Sequence, residues 1–435
     1  MDWKQEYQEK ICTPQEAVKL VRSGDRVYAG TASSIAYRLL DALWARREEL
    51  EDVVLCGGMT SRPLPFFQPQ AAGHFSTTTT FFAGAGERQG IRNRQTTFTS
   101  VHLSQIETWC RETARPDVAF LEVSPPDEEG YLSYGAFGTA FHDVIRGLAR
   151  TVVLQVNPHV PYVYGEKNRL HISQADAVVE AEDALDTVPN LPLDETLRTL
   201  SGLIVEQIPD GATLQLGLGG ISNAVGFGLR EKNDLGIHTE MFTDSMMELA
   251  RLGVVTNRKK TFLPGTSVAS FALGTRALYD YLDHNEDLHF APYAFVNDPA
   301  VIAQNDSMIS VNTAMAVDLY GQVAADCLGG RQQSAIGGQV DFVRGAQMSR
   351  GGKSFIALTS THTKGDSVTS RIVPVLPAGS AVTTSRADVQ YVATEYGCVN
   401  LKPLTMDDRA RALIRLAHPD FRDELADSAK RMGLL

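Results

Sequence analysis

The sequence predicts an α/β protein of two similar open-sheet domains, residues 1–190 and 191–435, with the active site where the domains meet. Three observations lead to the two domains, and the place of the active site follows from the resemblance given below. At 435 residues the chain exceeds what one hydrophobic core supports, so two domains of roughly 200 residues each are expected. Short runs rich in Val, Ile and Phe alternate with helical stretches, as parallel sheets buried on both faces require. The chain also repeats itself: "SGDRVYAGTASSIAYRLL" aligns with "PDGATLQLGLGGISNAVGFGL", and the apolar segments that follow, "EDVVLCGG" and "DLGIHTEM", then correspond. This is a repeat of roughly 190 residues, joined near "DTVPNLPLDET".

In chain order, the first copy opens with a helix entered through Thr13 and Pro14 and a turn at Ser23-Gly24-Asp25. A strand, a Gly/Ser loop and a second helix follow. "PDVAFLEVS", "TVVLQVN" and "AVVEAE" read as further strands. The second copy has its turn at Asp210-Gly211, a strand from Thr213 to Leu216, a glycine loop and a helix from Ser222. "SMISVN", "SFIAL", "IVPVL" and "VQYVATEYG" are its later strands, and Gly337-Gly338 stand before a strand-like "QVDFV". The last segment forms an amphipathic helix, a break at His418-Pro419 and another helix.

Composition narrows the function. With 43% hydrophobic and 21% charged residues the chain is an ordinary globular protein. A net charge of −12 without a Lys/Arg-rich block leaves no electrostatic footprint for nucleic acid or an anionic membrane, so neither partner is expected. The five cysteines are scattered and lack CxxC spacing, which fits reduced thiols in the cytoplasm. The charged start "MDWKQEYQEK" is not a secretory signal, and no apolar run approaches the roughly 18 residues of a membrane span. GxSxG, HExxH and GxxxxGK[ST] are all missing, so a serine hydrolase, a dedicated metal site and a P-loop nucleotidase are not expected.

What chemistry remains centres on two loops and one carboxylate. In "LQLGLGGISNAV", Gly217, Gly219 and Gly220 lie between a strand end and a helix start, where glycine lets a ligand approach and the helix N-terminus favours negative charge. Downstream, "DLGIHTEMFTDSM" delivers Glu240 within an apolar run, at the carboxyl end of the next strand. Two readings share this spacing. Glu240 follows Gly217 by 23 residues, as the ribose-binding acid follows the glycines of a dinucleotide fingerprint, although position 222 is Ser rather than Gly. Alternatively Glu240 is a nucleophile and the loop holds what it attacks. The pairs Gly329-Gly330 and Gly337-Gly338 then become relevant, because two exposed amides can hold a developing oxyanion. His238 reads as a strand-end structural residue, Lys364 as a surface charge, and Glu395 as a rival nucleophile.

These motifs resemble the acetyl-CoA hydrolase/transferase family of class I CoA-transferases. The resemblance spans nearly the whole chain: "VSPPDEEGYLSYG", "RLHISQADAVVE", "LGLGGISNAV", "DLGIHTEMFTDS", "ISVNTAMAVDLYGQVAAD", "IGGQVDFVRGA" and "ATEYGCVNL" occur in the family's order. It implies Glu240 as catalytic nucleophile and Leu218 and Gly338 as oxyanion donors. It further implies a CoA site formed by Gly217, Leu218, Gly219, Gly220, Ile221, Ser334, Gly337, Gly338 and Lys364. Acyl-CoA and a short-chain carboxylate would be substrates, with no tightly bound cofactor or metal, and the chain would form a homodimer or larger homo-oligomer. Two departures stand out: Ser222 where relatives often carry Pro, which suits a helix cap, and the wording of "GGRQQSAIGG", which bears on the acyl pocket. A glutamate in apolar surroundings must still stay ionised, so amide or hydroxyl donors are expected beside it, with Thr239 and the glycine loop in view.

Overall fold

The computed structural model describes residues 2–81, 84–190 and 192–435. They form two compact units, Met1–Pro189 with Val268–Phe295 and Asn190–Ser267 with Val296–Leu435. The segment Val268–Phe295, which a boundary near residue 190 gives to the C-terminal half, therefore belongs to the first unit. Aromatic packing explains why: the Phe271 ring lies 4.8 Å from that of Phe137, Tyr293 stacks near Phe141, and Phe290 bridges to Gly165.

The first unit is built on seven strands: β1 (Arg26–Thr31), β2 (Val53–Gly58), β3 (Phe75–Thr79), β4 (Thr96–Phe98), β5 (Val118–Val123), β6 (Thr151–Val156) and β7 (Ala177–Glu180). Their order is β4-β3-β2-β1-β5-β6-β7, and all pairings are parallel. Such a sheet is covered on both faces, which is why β5 is buried at every position. Helix α1 (Tyr37–Ala45) covers one face by burying Leu39, Leu40 and Leu43 among Val27, Val53, Val118 and Phe120.

In the second unit β8 (Thr213–Leu216), β9 (Gly236–Phe242), β10 (Met308–Thr313), β11 (Lys353–Ala357), β12 (Tyr391–Thr394) and β13 (Gly397–Asn400) run in the order β9-β8-β10-β11-β12-β13. The first five are parallel and β13 closes as an antiparallel hairpin. The order around the first strand is that of the first unit, with β8 in the place of β1 and β9 in the place of β2, as the sequence repeat requires. In each unit the order reverses beside that first strand, the place at the carboxyl ends of the strands where open parallel sheets bind ligands.

The helices of this unit are α2 (Glu195–Val205), α3 (Gly220–Gly228), α4 (Asp244–Arg251), α5 (Gln339–Met348), α6 (Met406–Leu416) and α7 (Pro419–Arg431). Asp194 caps α2 through the Leu197 N–H at 2.7 Å, and Pro419 occupies the first position of α7, where its missing N–H costs nothing. Leu413, Leu416 and Leu425 of α6 and α7 join Val343, Ile356 and Val392 in one core.

Some sequence expectations change. "QVDFV" is the start of α5, not a strand: seven of its ten residues are buried, and a five-residue apolar window cannot tell a buried helix from a strand. Helix α3 begins at Gly220 rather than Ser222. "IVPVL" gives only the two-residue strand Ile372–Val373, because Pro374 cannot donate to a ladder. The helix entered through Thr13 and Pro14 is only four residues, Pro14–Ala17, continued by a 3₁₀ turn, and a separate helix, Trp3–Lys10, precedes it. Among the described residues no helix is long and apolar enough to cross a membrane.

Candidate active site

Glu240 is the half-buried position of a strand whose other six residues are buried. Alternation along β9 puts its side chain on the face of His238 and opposite to that of Thr239. Asn297 Nδ2 donates to Glu240 Oε2 at 2.9 Å, and the backbone N–H of Gly338 adds a weaker pull in favour of the ionised form. Burial works against both. Desolvation first, and then the negative charge of Asp341, push the Glu240 carboxyl up to about 7.

The glycine at 338 has a steric reason. A Cβ there would fall on Glu240 Oε2 and Asn297 Nδ2, so only glycine lets the backbone come this near to the carboxylate. Gly338 is also the N-cap of α5, which aims the positive end of a ten-residue helix at Glu240. This geometry follows from "QVDFV" being helical; a strand would have presented no such terminus.

The donors expected at Glu240 exist, but not those named from the sequence. Thr239 Oγ1 donates to the Met241 carbonyl at 3.1 Å, on the other face of the strand. Among the described residues, the hydrogen bonds to the Glu240 carboxylate come from Asn297 and Gly338 rather than from the loop at 217–221. Asn297 itself is fully buried, and nothing in "FVNDP" marked it. His238 is structural: its Nε2 lies 2.9 Å from the Val296 carbonyl, and burial pushes its ring down to about 4, so at neutral pH it is uncharged and donates that bond. The neighbour of its carbonyl partner is Asn297, so His238 fixes the segment that carries the donor.

Replacing Asn297 by Ala removes the 2.9 Å side-chain hydrogen bond to the carboxylate. Bonds to charged groups contribute roughly 1.5–3 kcal/mol, so turnover is expected to fall about 10- to 100-fold. The acid limb of the pH profile should move upward, because the lost donor favoured the ionised form. A steady-state pH series of this variant checks both.

The loop predicted to cradle an anion follows β8. Gly217 already donates its N–H to the Val311 carbonyl at 2.9 Å, so it extends the sheet rather than offering a free donor. Leu218, Gly219 and Gly220 are exposed, whereas Ile221 is buried. Gly219 caps α3 with φ +123°. Beneath the loop, Gln215, Ser310 and Asn312 form a closed buried network: Ser310 Oγ and Asn312 Nδ2 both donate to Gln215 Oε1, at 2.7 and 3.2 Å. That network ties the ends of β8 and β10 together at the strand-order reversal, and sequence reading missed it.

The remaining expected residues scatter. Ser334 is partly buried in the loop before α5, its N–H bonded to the Asp326 carbonyl at 3.1 Å. Gly337 precedes the N-cap with φ +65° and open space around it. Lys364 is exposed at the end of a hairpin strand, paired in register with Ser367. Glu395 is occupied: its two oxygens accept from the Ser360 N–H and hydroxyl.

Half of a sheet's rim, a shielded carboxylate and two glycine loops define a class, and family models give that class its name. The model of the acetyl-CoA hydrolase/transferase N-terminal domain matches residues 1–189 and that of the C-terminal domain matches residues 274–429; the chain belongs to this family. It is 39% identical to the butyryl-CoA:acetate CoA-transferase of Anaerostipes caccae, over 99% of this chain and 98% of that one. Identity to the 4-hydroxybutyrate coenzyme A transferase of Clostridium kluyveri is 37%, over 99% and 100%. The crystal structure of RipA from Yersinia pestis superposes with a TM-score of 0.94 at 38% identity, covering both chains fully.

Proposed function

We propose that this protein is an acyl-CoA:carboxylate CoA-transferase that moves CoA between short-chain carboxylic acids through a thioester on Glu240. The observation that carries the reading is the state of Glu240: a carboxylate set in apolar surroundings, aimed by Asn297 and approached by the Gly338 backbone. Full-length similarity to proteins named for butyryl-CoA, acetate and 4-hydroxybutyrate supports the substrate class of small monocarboxylates, with a dicarboxylate such as succinate or itaconate as the nearest variant.

The chemistry follows from charge and access. The Glu240 carboxylate attacks the thioester carbonyl of an acyl-CoA, and the C–S bond breaks to give a mixed anhydride and CoA thiolate. The thiolate attacks the glutamyl carbonyl, the C–O bond breaks, and the first acid departs as its carboxylate. A second carboxylate reverses these steps and leaves as the new CoA ester. The α5 N-terminus and the Gly338 and Leu218 amides are the donors for the oxyanion formed at each addition. Phe242, buried on the strand face that carries Glu240, leaves little water near intermediates that water would destroy. That shielding favours transfer over hydrolysis.

Two measurements test the reading. Incubation with acyl-CoA followed by borohydride or hydroxylamine should inactivate the enzyme, with the modified peptide containing Glu240; labelling of any other peptide overturns it. The pH profile is the second. The nucleophile must be ionised, so kcat/KM for acyl-CoA should fall as pH drops through the Glu240 carboxyl at about 7. At pH 5 the loss should be about a hundredfold, whereas a glutamate at its ordinary value of 4.5 would keep about three-quarters of its activity there.

A further inference from the structure

Asp341 is a second carboxylate at this site that the proposed steps do not use. It lies three residues beyond Gly338 on α5, and the Phe342 N–H bonds the Gly338 carbonyl at 3.0 Å, so a regular helical turn links them. Residues three apart share a helix face, and Gly338 is the residue whose Cα abuts Glu240. Asp341 is only 4% exposed. Two features favour a negative charge there: the first turn of a helix favours an anion, and the Arg344 guanidinium, which pairs with Asp388, lies one turn further along and is stabilised in its protonated form first by Asp388 and then by Asp341. Among the described residues, Asp341 is the charged group that acts on Glu240; the hydrogen-bond partner Asn297 is neutral, and His238 on the same strand is uncharged.

A like charge held here is not neutral to the reaction. In the first half-reaction Glu240 carboxylate plus acyl-CoA becomes glutamyl-CoA thioester plus a free carboxylate. The negative charge present on Glu240 at the start leaves with the departing acid, and the side chain that remains is uncharged. We propose that Asp341 is a positioning residue whose fixed negative charge favours every uncharged form of Glu240, and so draws CoA onto the enzyme and expels the first carboxylate. The inference rests on the reading of Glu240 as nucleophile.

Protonated and thioesterified Glu240 have this in common: neither carries the charge that Asp341 repels. One interaction therefore sets both equilibria, and removing it must move both by the same factor. In the full-length Asp341→Asn variant the acid limb of kcat/KM should move to lower pH, raising activity at pH 6 relative to pH 8 by about threefold or more. At pH 8, with a fixed ratio of acyl-CoA to free acid, the fraction of enzyme carrying CoA on Glu240, read by intact mass, should fall. The fall should match the limb's displacement at tenfold per pH unit. If Asp341→Asn does not fold, Asp341→Ser removes the charge from the same helix position and is read in the same way.

An unmoved acid limb, an unchanged or increased thioester fraction, or a shift of one without the other overturns the role of Asp341. A merely structural Asp341 would lower the rate at all pH values and leave the two equilibria unlinked. Failure of the underlying reading looks different: the thioester of the unsubstituted enzyme would map to a peptide without Glu240.

Discussion

Glu240→Gln is expected to lose CoA exchange between acids by on the order of 10⁴-fold or more, as removal of a covalent nucleophile does in other enzymes, while the protein becomes more stable. Both halves come from one observation. Glutamine keeps the shape and a partner for Asn297 but cannot form the anhydride, so chemistry stops. The stability gain follows from linkage. In the folded protein the carboxyl is raised from 4.5 to about 7, so the ionised form is disfavoured in the folded state. That cost is absent below the unfolded value of 4.5, grows as pH rises, and is complete above 7. Removing the charge should therefore stabilise the fold by on the order of 2 kcal/mol at pH 8, discounted for the solvent that a half-buried group still meets, and by nothing near pH 4. Denaturant melts at both pH values check this against the rate. An inactive variant that is also unstable at pH 8 would point to a structural glutamate. A stabilised variant that exchanges CoA at an undiminished rate would remove Glu240 from the mechanism.

The same balance of burial against charge decides how much of the site could be read from residues alone. Glu240 was legible because a lone carboxylate inside an apolar strand has no structural excuse, and the repeat was legible because two copies of turn, strand, glycine-rich loop and helix must fold alike. Thr239 was legible in principle and misread: period-two alternation sends it to the opposite face, and it bonds the Met241 carbonyl instead. Asn297 was not legible. It reaches Glu240 across 57 residues, after the chain has left the second unit as Val268–Phe295 and returned to it at Val296, and no local periodicity encodes that path. The α5 N-terminus was hidden by window length. Val340, Phe342 and Val343 look like a strand over five residues and like a helix only when Ala346 and the N-cap glycine are included.

Gly338→Ala should cut turnover by about 10²- to 10³-fold, the usual cost of spoiling an oxyanion site, with KM changed far less. The backbone there, φ −93° and ψ 9°, is open to alanine, so strain in the main chain is not the cause. The added methyl would fall where Glu240 Oε2 and Asn297 Nδ2 now lie. Asn297 is fully buried and has nowhere to go, whereas the half-buried glutamate can swing away, and so the nucleophile is displaced. Overpacking of this kind also destabilises by roughly 1–3 kcal/mol. The two effects separate in a double-mutant cycle. In a Glu240→Ala background the collision with the carboxylate is gone and the space it leaves lets Asn297 shift, so Gly338→Ala should lose a measurable part of its effect on Tm, a coupling that distant residues do not show. Equal destabilisation in both backgrounds would mean that Gly338 serves α5 alone. A large coupling would mean that this glycine is there to let a helix terminus meet a carboxylate.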